Sequence, residues 1–188
     1  MGYYVRTIDS KIFLDKKHFD DVYKKLCELN DYDELKRGGS YGSNEDNNSN
    51  ERYNKSKWFS WMDYNYPETC KDMHAVLTQV GFNCEYDDDG NLVMLDYEEN
   101  KTGNEDYFLS CLAGFIEDGS YLTFKGEEDY DYYRFTFQDG YMYHERGRIE
   151  FVWENPSQYE FGKLSAEDAY IKMIVEATKE SVSVSELQ

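Results

Sequence analysis

The hydrophobic and polar positions along the chain alternate between two periods. Tyr3 to Ile8 (YYVRTI) is rich in β-branched and aromatic residues and predicts a strand. From Asp15 to Asn30 the period changes. Phe19, Val22, Tyr23, Leu26 and Leu29 recur at three- and four-residue intervals, the stripe of one helical face. Lys16, Lys17, Asp20, Asp21, Lys24 and Lys25 fill the opposite face. A second helix is predicted from Pro67, placed in its first turn, through Cys70, Met73, Val76, Leu77 and Val80, with Gly81 as the stop. Phe82 to Tyr86 and Asn91 to Asp96, separated by a Gly-containing acidic turn, predict a hairpin. A third helix is expected over Asn104 to Ile116, burying Tyr107, Phe108, Leu112 and Phe115 or Ile116. Strands follow at Gly119 to Lys125, Tyr132 to Gln138 and Tyr141 to His144, the last two joined by Asp139-Gly140. RIEFVW (Arg148 to Trp153) is expected to close the sheet. After Asn155-Pro156, Ser165 to Ser181 reads as an amphipathic helix near a capping box, with Ala169, Ile171, Ile174, Val175 and Thr178 on its apolar side.

Two segments break the pattern. Asn30 to Ser56 has almost no aliphatic residues and predicts a flexible loop. KWFSWM (Lys57 to Met62) is a dense aromatic knot; two of Trp58, Phe59 and Trp61 should plug the core and the third be partly exposed. The element order predicts an α+β fold with a mainly antiparallel sheet covered on one face by helices, and an added C-terminal helix. The expected organisation is one domain over residues 1–153, with 31–56 as its flexible loop, and a helical extension over 154–188.

Composition narrows the class. With 188 residues, 19 Tyr, 11 Phe and 3 Trp, the chain can bury a core without a disulfide or metal staple. No apolar run approaches the ~20 residues of a membrane span, and no charged then apolar leader opens the chain. Cys27, Cys70, Cys84 and Cys111 form no C-x-x-C and have no zinc-finger relation to His18, His74 or His144. Free thiols in a reducing cytoplasm are expected.

Charge changes the picture most. The formal net charge is -19, and residues 82–132 carry 15 acids against 2 bases. Asp87, Asp88 and Asp89 crowd one predicted turn. Glu127, Glu128, Asp129 and Asp131 crowd another. Asp96, Glu98, Glu99, Glu105, Asp106, Glu117 and Asp118 lie between them in sequence. Tyr97, Tyr121, Tyr130, Tyr132, Tyr133, Tyr141 and Tyr143 are interspersed, and alternation requires some of them to face outward. Acids on alternate positions of a strand stand ~6.6 Å apart on one face, a spacing that can compete with nucleic acid for a basic groove. The same net charge argues against direct nucleic-acid binding. Turn chemistry alone explains part of the acid content.

The stretch FLSCLAGFIEDGSYLTFKGEEDYDYYRFTFQDGYMY (Phe108 to Tyr143), with KWFSW (Lys57 to Trp61) and GFNCEYDDDGNLV (Gly81 to Val93), resembles a family of small acidic proteins of Gram-positive bacteria and their phages and mobile elements. The resemblance covers about residues 1–153. It implies a mobile-element origin and brings no activity or catalytic residues with it.

Catalytic signatures are missing: no phosphate-binding glycine loop, no nucleophile elbow, and no H-E-x-x-H, since Glu145 follows His144 but nothing continues the motif. Glu85 to Asp96 half-matches a calcium loop through Asp87, Asp89 and Gly90, but it ends on Asp96 and is flanked by strands. No catalytic residue, metal or cofactor is therefore expected. The leading expectation is a non-enzymatic, cytoplasmic inhibitor that mimics nucleic acid and binds a basic nucleic-acid-binding or nuclease protein of the host. Its contact residues would be Asp87, Asp88, Asp89, Glu98, Glu99, Glu127, Glu128, Asp129, Asp131, Tyr130 and Tyr132. The alternatives are an interaction module docking through KWFSW and the C-terminal helix, or a small-molecule or nucleotide binder using Arg134, Arg146 or Arg148. The C-terminal helix could also support a homodimer.

Overall fold

In the computed structural model, residues 3–39, 52–98, 100–128 and 131–147 are described. They belong to a unit spanning Met1–Arg148; Ile149–Gln188 form a second unit. The strand expected at 148–153, the helix expected at 165–181, and Glu99, Asp129 and Tyr130 lie outside the described residues.

The fold is α+β. β1 (Tyr4–Lys11) leads through a short 3-10 turn (Lys16–His18) into α1 (Phe19–Leu29). β2 (Gly38–Gly39) pairs with β3 (Lys57–Trp58). Then come α2 (Tyr66–Thr69), α3 (Met73–Val80), β4 (Phe82–Tyr86), β5 (Leu92–Tyr97), β6 (Asn100–Lys101) and α4 (Glu105–Ser110). A meander of β7 (Tyr121–Gly126), β8 (Tyr132–Gln138) and β9 (Tyr141–Gly147) completes the described chain. The main sheet has the order β6-β1-β7-β8-β9, antiparallel throughout, and β4-β5 is a separate hairpin.

One face of the main sheet makes the core. Leu122 and Phe124 on β7, with Phe135 and Phe137 on β8, are buried against Val22 and Leu26 of α1, Val76 and Leu77 of α3, and Phe108 and Leu109 of α4. Phe124 stacks flat on Tyr133, and Tyr97 meets both Phe82 and Phe124. Buried hydroxyls find carbonyls, as their desolvation demands. Tyr66 donates to the Leu26 carbonyl and Tyr23 to that of Cys70, so two tyrosines tie α1 to the α2–α3 segment.

Three elements differ from the sequence pattern. The helix expected from Pro67 to Val80 is two helices. The backbone turns extended at Cys70, and Asp72 caps a new helix by accepting from the Ala75 N–H at 2.8 Å. A side chain that offers the backbone a cap competes with helix continuation. The helix expected to reach Ile116 stops at Ser110, where the hydroxyl donates to the Tyr107 carbonyl and the chain continues as turns. Part of the expected loop at 31–56 is ordered: a 3-10 turn at Asp33–Leu35 and the β2 strand, with Gly38 packed so closely on the Trp58 indole that a Cβ would not fit.

Candidate functional site

The expected acidic contact residues fall at two ends of the unit. Gly126 of β7 pairs with Val5 at the start of β1, so Glu127, Glu128 and Asp131 lie at that end. Glu98, between β5 and β6, lies there too, because β6 pairs with Tyr4 and Val5. Asp131 is not free: it accepts a short hydrogen bond from the Tyr3 hydroxyl. Asp87, Asp88 and Asp89 lie beyond the other end of β1. There Leu14 bridges Leu92, and the Lys16 ammonium donates to the Asp89 carbonyl at 2.7 Å. Eight strand residues, about 25 Å, separate the two groups.

Asp87 has a structural role. Its carboxylate accepts the Asn91 N–H at 2.8 Å and the Asn91 amide at 2.9 Å, which holds its pKa below the usual carboxylate range. Asp88, Asp89, Glu98, Glu127 and Glu128 make no ion pair among the described residues. These acids occupy turns and connections; none is on a strand of the main sheet.

That sheet has a second face. Strand register places Tyr4 beside Lys101, Arg6 beside Lys125, and Lys125 beside Tyr132. The next row across the sheet is Asp9, Thr123, Arg134 and Glu145. Beyond it come Lys11, Tyr121, Thr136 and Tyr143. All are exposed or half-exposed, so no described helix covers them. Cations lie over the rings: Arg134 stands 4.4 Å above Tyr121, and Lys125 5.7 Å from the Tyr132 centroid. Arg134 also donates to Thr123 and pairs with Asp9 at 3.8 Å. Among the described residues, Tyr132 is thus the expected contact residue that lies on the sheet.

Trp61 stands at the β6 edge of this face. Its φ is 69°, in the left-handed region that costs a bulky residue about 1–3 kcal/mol. Its neighbours enforce it. The indole N–H donates to the Lys101 carbonyl at 3.0 Å, and the Ser60 N–H to the Asn104 side chain at 2.9 Å. Gly103 passes so close to Ser60 and Trp61 that a Cβ would clash. The Glu105 carboxylate accepts both the Gly103 N–H and the Thr102 hydroxyl, fixing that loop. The ring remains 54% exposed, while Phe59 and Met62 on either side are buried and Trp58 is half-buried. The Lys101 ammonium lies 5.7 Å from the Tyr4 ring and 5.9 Å from that of Trp61. The knot was expected to expose one ring. The sign that it is Trp61 is the backbone conformation, which the sequence does not show.

A shallow open groove of about 460 Å³ lies by α3, lined by Asp63, Cys70, His74 and Gln79 among others. Its side chains are engaged with one another. The Cys70 thiol donates to Gln79, Gln79 to Asp63, and His74 shares a hydrogen bond with the Tyr86 hydroxyl. Burial raises the pKa of all four thiols, Cys84 to about 11 and Cys111 to about 12, so none is activated as a nucleophile. No group of three or more metal-ligating side chains gathers among the described residues, and none of their helices is long and apolar enough to cross a membrane. No protein-family model, curated protein or solved structure matches the chain.

Proposed function

We propose that this chain is a non-enzymatic, cytoplasmic binding protein whose working surface is the open face of the main sheet with Trp61 at its edge. One observation carries the reading. Trp61 is held in a strained backbone conformation by its indole hydrogen bond to Lys101, the Ser60–Asn104 hydrogen bond beside it and the Gly103 contact, yet the residue stays more than half exposed. Strain of that size is retained where it serves an interaction rather than packing. Trp, Tyr and Arg are the residues that dominate binding energy at interfaces, and Tyr4, Tyr143 and Arg6 share the face. The test is a pull-down with the full chain at about 0.1 M and about 0.5 M salt. A partner retained at the higher salt and lost with Trp61→Ala supports this surface, because exposed charge pairs are screened there.

A second reading keeps the acids as the contact. Asp88, Asp89, Glu98, Glu127 and Glu128 lack ion-pair partners among the described residues, which leaves them available to a basic, nucleic-acid-handling protein of the host. The geometry makes it a two-point contact rather than one continuous row. Charge reversal of Glu127 and Glu128 should abolish such binding. A partner captured unchanged by that variant would remove the acidic turns from consideration.

A further inference from the structure

We infer that the open sheet face binds a single strand of nucleic acid, stacking bases on Trp61 and its neighbouring tyrosines; this rests on the reading of that face as the working surface. The first argument is size. Five strands, the edge strand β6 only two residues long, span about 19 Å, and seven residues of the longer strands about 23 Å. The face suits a short extended strand, since sheets that bind single strands engage as few as ~4 nucleotides.

The second argument is chemistry. Rings and cations interleave across the strands: Trp61, Lys101 and Tyr4 at one corner, then Arg6, then Arg134 over Tyr121, as they do on sheets that read unpaired bases. The third is local charge. The face carries five cations, namely Arg6, Lys11, Lys101, Lys125 and Arg134. Its described carboxylates are Asp9, paired with Arg134, and Glu145, which accepts from the Thr136 hydroxyl and keeps its charge, so cations still outnumber carboxylates on the face. The acidic turn at 87–89 lies beyond the Lys11 end of β1, about 25 Å from the Trp61 corner and past the ~14 Å screening length at about 0.05 M salt. Glu98, Glu127 and Glu128 border the face at the Trp61 end. They weigh more against a duplex, with two phosphate rows, than against one strand. The chain's net charge of -19 therefore does not describe this face.

The test is fluorescence anisotropy with the full chain and a labelled, mixed-sequence strand of roughly 12 nucleotides, as RNA and as DNA, at about 0.05 M salt. The matching duplex and a labelled oligoglutamate peptide of similar length serve as comparisons. Binding of one or both single strands is expected, with the duplex and the peptide at least tenfold weaker. Trp61→Ala should weaken strand binding about five- to hundredfold, the range of one lost base stack. Trp61→Gly, which suits the left-handed backbone, should do the same in a chain that folds as well as the parent. Failure of both strands to bind overturns the inference, as does equal binding of duplex or oligoglutamate, or indifference to both Trp61 variants. Those failures leave the proposed surface standing if the high-salt pull-down still depends on Trp61, and remove it as well if that dependence is also absent.

Discussion

The two faces of β7 and β8 differ by a single residue step. Leu122, Phe124, Phe135 and Phe137 point into the core and are buried; Tyr121, Thr123, Arg134 and Thr136 point the other way and are half-exposed. The same strands, with the same backbone hydrogen bonds, carry an apolar set on one side and a tyrosine–cation set on the other. The first set holds the fold together and the second is spare. Period-two geometry makes that division possible, because a one-residue shift in register would exchange the two sets.

Substitutions can break this comparison or sharpen it. The largest expected effect is on the core side. Phe124→Ala should destabilise by about 3–5 kcal/mol, through lost burial and a cavity beside Tyr97, Tyr133 and Phe135. Tyr143→Ala, on the open side of the same sheet, should change stability by less than about 0.5 kcal/mol. Urea midpoints for the pair measure the contrast directly, and equal losses would mean that the open side is packed after all. Next in size, Tyr66→Phe removes the hydroxyl that satisfies the Leu26 carbonyl and should cost about 1–2 kcal/mol by the same measurement.

Trp61→Gly should leave stability unchanged or raise it by up to about 1 kcal/mol, since glycine relieves the left-handed strain at the cost of one hydrogen bond. A marked loss of thermal stability would mean that Trp61 is a packing residue. The smallest effect near neutral pH comes from the thiols. Cys84 and Cys111 stay protonated in the fold up to about 11 and about 12, whereas an unfolded thiol ionises near 9.0. The unfolded chain releases those protons first. Stability is therefore full below the ordinary thiol value and falls as pH rises toward the folded values. Urea midpoints taken across that range should decline, and less so in a Cys84→Ala, Cys111→Ala variant.

Much of the architecture was legible in the residues. The stripe of Val22, Leu26 and Leu29, the stop at Gly81 (φ 118°), the β4-β5 hairpin and the Asp139-Gly140 turn, both of its residues at positive φ, are local signals, and the structure shows each element. What was not legible depends on long-range pairing or on competition within a few residues. The two-residue β6 carries no pattern of its own and exists because β1 offers it an edge. The break at Cys70 follows from the Asp72 cap winning over an unbroken helix. The candidate surface was half visible. Acid density drew attention to the turns, whereas the cations of the open face are scattered through the sequence from Arg6 to Arg134 and converge only when β1, β6, β7 and β8 pair.

The interior position of β1, between β6 and β7, also has a temporal consequence. It is the first strand to be synthesised, yet it pairs with β6 and β7, the latter more than 100 residues further along the chain. At the usual ~5–20 residues per second, β7 is made about 6–23 s after β1. For most of that interval the strand that will sit between β6 and β7 has both edges unpaired. The nascent chain is thus most open to mispairing early in synthesis, and the last strands of the meander, not the first, complete the fold.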